Sequence, residues 1–165
     1  MNRNIFIALL IITNITLDQI SKFWVRASIE ANSITQIIGD FLTLRNVENK
    51  GAFLGMGSDL GDAAKLILLL IVPAIVLSFV VIHMVKEKNM DKLSTIGFSC
   101  VVGGGIANVF DRFAYGSVTD FLHIDLGFTQ TGIFNIADMS VTTGMILILW
   151  ASFFNKKKTL TEETV

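Results

Sequence analysis

Residues 64–85 read AKLILLLIVPAIVLSFVVIHMV, a run in which only Lys65 and His83 can carry a charge. A helix of this length, at about 1.5 Å per residue, reaches roughly 33 Å, enough to cross the ~30 Å hydrocarbon core of a bilayer. Three other runs have the same character, at residues 5–25, 93–113 and 133–154. The whole chain agrees: 52% of its 165 residues are hydrophobic and 16% charged, against roughly 25% charged in soluble domains. The reading is a mainly α membrane protein, with four transmembrane helices in one domain over residues 1–165. Arg3 ahead of the first run also suits a secretory signal peptide. No small-x-small cleavage site follows, however, and the far end carries Asp18, Ser21 and Lys22, so a retained helix is expected.

Placement of the basic residues sets the orientation. Arg3 precedes the first run, Lys86, Lys88 and Lys92 fill the link between the second and third, and Lys156, Lys157 and Lys158 follow the fourth. Cytoplasmic loops are enriched in such residues, so both termini are expected in the cytoplasm. Residues 114–132 contain no Lys or Arg and are expected outside, together with residues 26–63. That long outer link alternates over residues 34–47 around Gly39-Asp40, which predicts a hairpin with a two-residue turn and hence a small extracytoplasmic β-sheet. Glu48-Asn49-Lys50-Gly51 reads as a further turn. The glycine-rich loop Gly55-Met56-Gly57-Ser58-Asp59-Leu60-Gly61 is either a lid or a flexible connector.

Ionisable groups at the ends of spans are costly and therefore candidates for function. Asp18 and Lys22 end the first span; Asn108, Asp111 and Arg112 end the third; Asn135 and Asp138 begin the fourth. All fall at the outer side, joined by Asn49 and Asp120 from the outer links. Asn14, Asp18 and Lys22 recur at i, i+4 and i+8, so they share one helical face. Gly103, Gly104 and Gly105 predict close approach of a neighbouring helix. Asp18 with Lys22, and Asp111 with Arg112, read either as ion pairs or as site residues. Asp120 and Asp138 have no Lys or Arg at helical spacing, which points them towards chemistry.

Two carboxyls at a partly desolvated site share a proton, one acting as base towards water and the other as acid. A zinc hydrolase fits less well, since His83 and His123 are expected on opposite sides and no His-Glu-x-x-His occurs. Ser21 and Lys22 are adjacent on a helix and diverge. His123 reads as a surface residue, and Cys100, the only cysteine, as a packing residue. A net charge of -1 gives no basic patch for nucleic acid. A transporter would hold its aspartates near the midplane, with internal repeats. A scaffold with structural ion pairs leaves Asp120 and Asp138 unexplained.

Five segments, in order, resemble the motifs of lipoprotein signal peptidase, signal peptidase II: Leu17-Asp18-Gln19-Ile20-Ser21-Lys22, Glu48-Asn49-Lys50-Gly51-Ala52-Phe53, the run from Gly103 through Asn108 to Arg112, Val118-Thr119-Asp120-Phe121, and Phe134-Asn135-Ile136-Ala137-Asp138. The resemblance implies Asp120 and Asp138 as the catalytic pair of an aspartic endopeptidase. It implies Asp18, Lys22, Asn49, Gly51, Asn108, Arg112, Asn135 and Ala137 as lining or supporting the site, with Asp111 structural. It further implies diacylglyceryl-prolipoprotein substrates cut before the lipidated cysteine, membrane lipids as surroundings, and no metal or organic cofactor. A monomer in the bacterial inner membrane is expected. Thr119 stands where a second valine is common, and Gly105-Ile106-Ala107 replaces the more usual Ala-Leu-Gly.

Overall fold

The computed structural model describes residues 2–52 and 56–162, the side chains of 155–162 excepted. Phe53, Gly55 and the side chains of Lys156, Lys157 and Lys158 therefore lie outside the described residues. Four described helices are long and apolar enough to cross a membrane: α1 (Arg3–Ser28), α2 (Asp62–Lys86), α3 (Lys92–Tyr115) and α4 (Ile136–Glu162, apolar over Ile136–Phe154). The molecule is a mainly α, multi-pass membrane protein. In its most apolar stretch α3 buries 39% of its residues and α2 none, so α3 is the central post.

Helix α3 owes its central place to small residues. Gly103, Gly104 and Gly105 project about 100° apart around the helix, and each faces a different neighbour. An added Cβ would lie 2.7 Å from Asn14 Cβ on α1 for Gly103, 2.4 Å from the Ala137 carbonyl oxygen on α4 for Gly104, and 2.6 Å from Leu77 on α2 for Gly105. The expectation of one close neighbour was too modest, since the triplet admits three. Asp91 starts α3 by accepting the Ser94 N–H at 2.9 Å. Gly116 ends it at φ +73°, donating its N–H to the Arg112 carbonyl at 3.0 Å.

Helix α2 contains a π-helical stretch, Leu66–Ile71, that the apolar pattern does not reveal. The Val72 N–H donates to the Ile67 carbonyl, five residues back, and Pro73, which has no N–H to offer, follows directly. Helix α4 starts three residues later than the apolar run. Ile133, Phe134 and Asn135 are not helical, and Phe134 instead exchanges backbone hydrogen bonds with Leu122 at 2.9 and 2.8 Å.

Between the helices, β1 (Ile34–Ile38), β2 (Leu42–Asn49) and β3 (Val118–Ile124) form an antiparallel sheet in the order β1-β2-β3. The hairpin was anticipated, but its turn has three residues, not two: Ile38 pairs with Leu42. Gly39 takes φ +49°, and the Phe41 N–H closes the turn on the Ile38 carbonyl at 3.1 Å. Glu48 and Asn49, expected in a turn, continue β2. The third strand was not foreseen, and it carries Asp120. The register slips between Leu44 and Val47, and bulges of this kind re-aim side chains beside functional sites.

Candidate active site

Asp120 lies in the middle of β3, opposite Val47, which places Asn49 of β2 diagonally across from it on the same face. The residue is 4% exposed. Oδ2 accepts the Asn49 Nδ2–H at 2.8 Å, and Oδ1 accepts the Asn135 Nδ2–H at 2.6 Å. Burial is the main force on this carboxyl and pushes its pKa up from the usual 3.8 to about 6. The Asn49 and Asn135 hydrogen bonds and the Lys22 charge pull the other way, while the Asp138 charge adds to the rise.

Asp138 is held by the start of its own helix. Asn135 caps α4 through Oδ1, which accepts the Asp138 N–H at 2.9 Å, and the Asn135 N–H donates back to Asp138 Oδ2 at 3.2 Å. This reciprocal arrangement is a capping box built from Asn and Asp. The other Asp138 oxygen accepts the Asn108 Nδ2–H at 2.9 Å. Asn135, fully buried, thus contacts both aspartates and sets one against the other.

Behind the pair stands a buried charge cluster. Lys22 Nζ lies 2.7 Å from Asp18 Oδ2 and 2.8 Å from Asp111 Oδ2, with all three side chains wholly buried. Nζ also donates to Asn108 Oδ1 at 2.8 Å. An ammonium can only donate, so this bond forces the Asn108 amide to turn its NH₂ towards Asp138. The second Asp18 oxygen accepts the Ala137 N–H, at 2.8 Å, in the first turn of α4, where carboxylates are favoured. Gln19 Nε2 donates to Asp111 Oδ1 at 3.0 Å.

The pairing of Asp111 with Arg112 does not occur. Neighbouring helical side chains diverge, so Asp111 turns inward to Lys22 while Arg112 donates to the Gly51 carbonyl at 2.9 Å and the Asn108 carbonyl at 3.3 Å. Gly51 in turn donates its N–H to Asn49 Oδ1 at 2.9 Å. His123 is not a surface residue: it is 4% exposed. Pairing with Thr43 three residues along β3, it faces the sheet side opposite Asp120. All eleven residues singled out from sequence are otherwise brought together. Gln19 and Arg26 were missed, although Arg26 extends the Asn14, Asp18, Lys22 stripe by one more turn.

Asp138 and the polar groups of Asn108 and Arg112 close one end of a cavity of about 620 Å³ between α2, α3 and α4, whose walls include Leu68, Leu69 and Met145. Asp138 also borders a cavity of about 540 Å³ with Phe134 and Met139. Asp120 lines a separate cleft of about 360 Å³ with Asn49 and Ile133, and Gly132 borders both of these spaces. Two carboxyls fixed by amides, beside apolar grooves, can hold and exchange protons around a polar bond of an apolar ligand.

The family profile described as signal peptidase (SPase) II matches residues 10–154. The chain belongs to the signal peptidase II family. Among curated relatives, the lipoprotein signal peptidase of Borreliella burgdorferi is 36% identical over 163 residues, covering 95% of this chain and 94% of its own. That of Psychromonas ingrahamii is 32% identical over 144 residues, covering 87% and 82%. A bacterial membrane enzyme solved by the in meso method at 2.3 Å superposes with a TM-score of 0.82, at 27% identity over 93% of this chain and 90% of that one. A second, solved at 1.9 Å, gives 0.76 at 26% identity over 88% and 91%. This signal peptidase II family member is accordingly a peptidase of a bacterial membrane.

The raised Asp120 pKa has a measurable consequence for stability. Folding favours the neutral form, so the contribution of this carboxyl is greatest below about 3.8 and is lost as pH rises through about 6. Between pH 4 and pH 7.5 the wild type should lose on the order of 2–3 kcal/mol relative to Asp120→Asn. Unfolding of both proteins in detergent across that range tests this hypothesis; a difference independent of pH contradicts it.

Proposed function

We propose that the chain is an aspartic endopeptidase that removes signal peptides from diacylglyceryl-modified prolipoproteins, cutting before the lipidated cysteine. The observation that carries this reading is Asn135 holding Asp120 and Asp138 together beside an apolar groove. One carboxylate takes a proton from water, the hydroxyl adds to the scissile carbonyl carbon, and the other carboxyl protonates the departing amide nitrogen. Asn49, Asn108 and Arg112 offer the polar contacts nearest the pair. A signal helix and two acyl chains gain little by moving from lipid into an apolar groove, so shape and these contacts must select the substrate. Water is the nucleophile, and no cofactor enters the scheme.

Incubation with a diacylated prolipoprotein peptide, followed by mass analysis, should give one cut immediately before the modified cysteine. The matched peptide without diacylglycerol should be cut far more slowly. Equal turnover of the two removes lipoprotein specificity from the proposal.

The basic residues support an orientation with both termini and the link through Lys88 in the cytoplasm and the dyad at the outer face. In a Cys100→Ser background, a cysteine at Asp59 should react with an impermeant thiol reagent in intact cells and one at Lys88 should not. The reverse pattern inverts the topology. The whole chain, with residues 26–63 as its outer segment, is proposed to act as one peptidase domain, without nucleic acid and as a monomer.

A further inference from the structure

One polar cluster lies outside the dyad and its buried lysine, on the opposite side of the sheet. Arg26, one turn beyond Lys22, donates from Nε to Thr119 Oγ1 at 2.6 Å. Thr119 donates to Glu48 Oε1 at 2.6 Å, and Ser117 donates to Glu48 Oε2 at 2.5 Å. The Arg26 guanidinium also lies 3.5 Å from Asp111 Oδ2 and 4.2 Å from the centre of the Tyr115 ring. Helix α1, helix α3 and strands β2 and β3 therefore meet at a single guanidinium.

Thr119 and Glu48 are register partners, and their chain neighbours are Asp120 and Asn49. Side chains alternate across a strand, so the contacts of Thr119 and Glu48 on one face fix the backbone that presents Asp120 and Asn49 on the other. Thr119 is wholly buried. Only the hydroxyl can accept from Arg26 and donate to Glu48 at once; valine has the same shape and can do neither.

We infer that Arg26, Thr119 and Glu48 form a clamp that positions Asp120 against Asn49 and Asn135. These three are positioning residues, and the inference rests on Asp120 being one of the reacting carboxyls. The Glu48 side chain is 44% exposed, so water can satisfy its carboxylate once the clamp is lost. The fold should therefore survive while the placement of Asp120 suffers.

Thr119→Val, Thr119→Ser and Glu48→Met test this in the full-length protein, with a diacylated prolipoprotein peptide as substrate. Thr119→Val should lower kcat about tenfold, the rate equivalent of roughly one lost hydrogen bond, with KM changed by less than about twofold. The pH–rate break that belongs to Asp120 should move upward, because the amide hydrogen bonds that favour its charged form are loosened. Thr119→Ser should restore both. Glu48→Met, at a partly exposed position, removes the acceptor for Thr119 and should reproduce the kinetic change even if Thr119→Val does not fold. The clamp is refuted if kcat and the pH break are unaltered in the folded variants, or if Thr119→Ser is as impaired as Thr119→Val. An inactive Asp120→Asn control beside an unimpaired Thr119→Val removes the clamp alone; an active Asp120→Asn removes the dyad itself.

Discussion

Asp120→Asn and Asp138→Asn are each expected to abolish cleavage of a diacylated prolipoprotein peptide, with kcat falling by roughly a hundredfold to ten-thousandfold or more. Asparagine keeps the shape of aspartate but can neither take a proton from water nor share one with its partner. Both side chains sit within one amide framework, in which Asn135 donates to Asp120 and caps Asp138. Loss of either carboxyl therefore disables the pair, and the double variant should be little worse than each single one, the non-additivity expected of groups that act as a unit. Ser21 donates its hydroxyl to the Asp18 carbonyl at 2.7 Å, in its own helix, so Ser21→Ala should retain most activity. Purified variants, compared in one cleavage assay with a binding control, decide the matter. Near-normal turnover by either Asp→Asn variant, or inactivity of Ser21→Ala, ends the aspartic hypothesis.

Lys22→Met is expected to have the largest effect on stability. Lys22, Asp18 and Asp111 are wholly buried and within 2.7 and 2.8 Å of each other through the ammonium. Removing the cation leaves two carboxylates facing one another in a low-dielectric interior. Breaking a buried ion pair from one side costs about 3–5 kcal/mol, which for a chain of this size lowers the unfolding midpoint on the order of 10 °C. Activity should also fall, because Lys22 turns the Asn108 amide towards Asp138. Neutralising the orphaned partners with Asp18→Asn and Asp111→Asn should recover part of the stability but not the activity. Thermal unfolding in detergent measures this, and an unchanged midpoint for Lys22→Met contradicts the hypothesis.

The sequence by itself determined the membrane-spanning helices, the β-hairpin and the choice of candidate residues. Each of these depends on short-range patterns: uninterrupted apolar runs, alternation about a glycine, polar groups recurring every four residues. What it left open depended on partners distant in the chain. Asp111 chose Lys22, 89 positions away (111 minus 22), over its neighbour Arg112, because helical geometry points adjacent side chains apart and only the packing of α1 against α3 brings Lys22 within reach. The strand holding Asp120 was hidden for a similar reason, since it pairs with β2 across some seventy residues and its edge is completed by Phe134. His123 was misplaced because burial of a strand residue follows from which face the sheet presents to the helices. The Asn135 capping box was written locally as Asn-x-x-Asp. That its amide also reaches Asp120 was decided only when β3 was laid beside the start of α4.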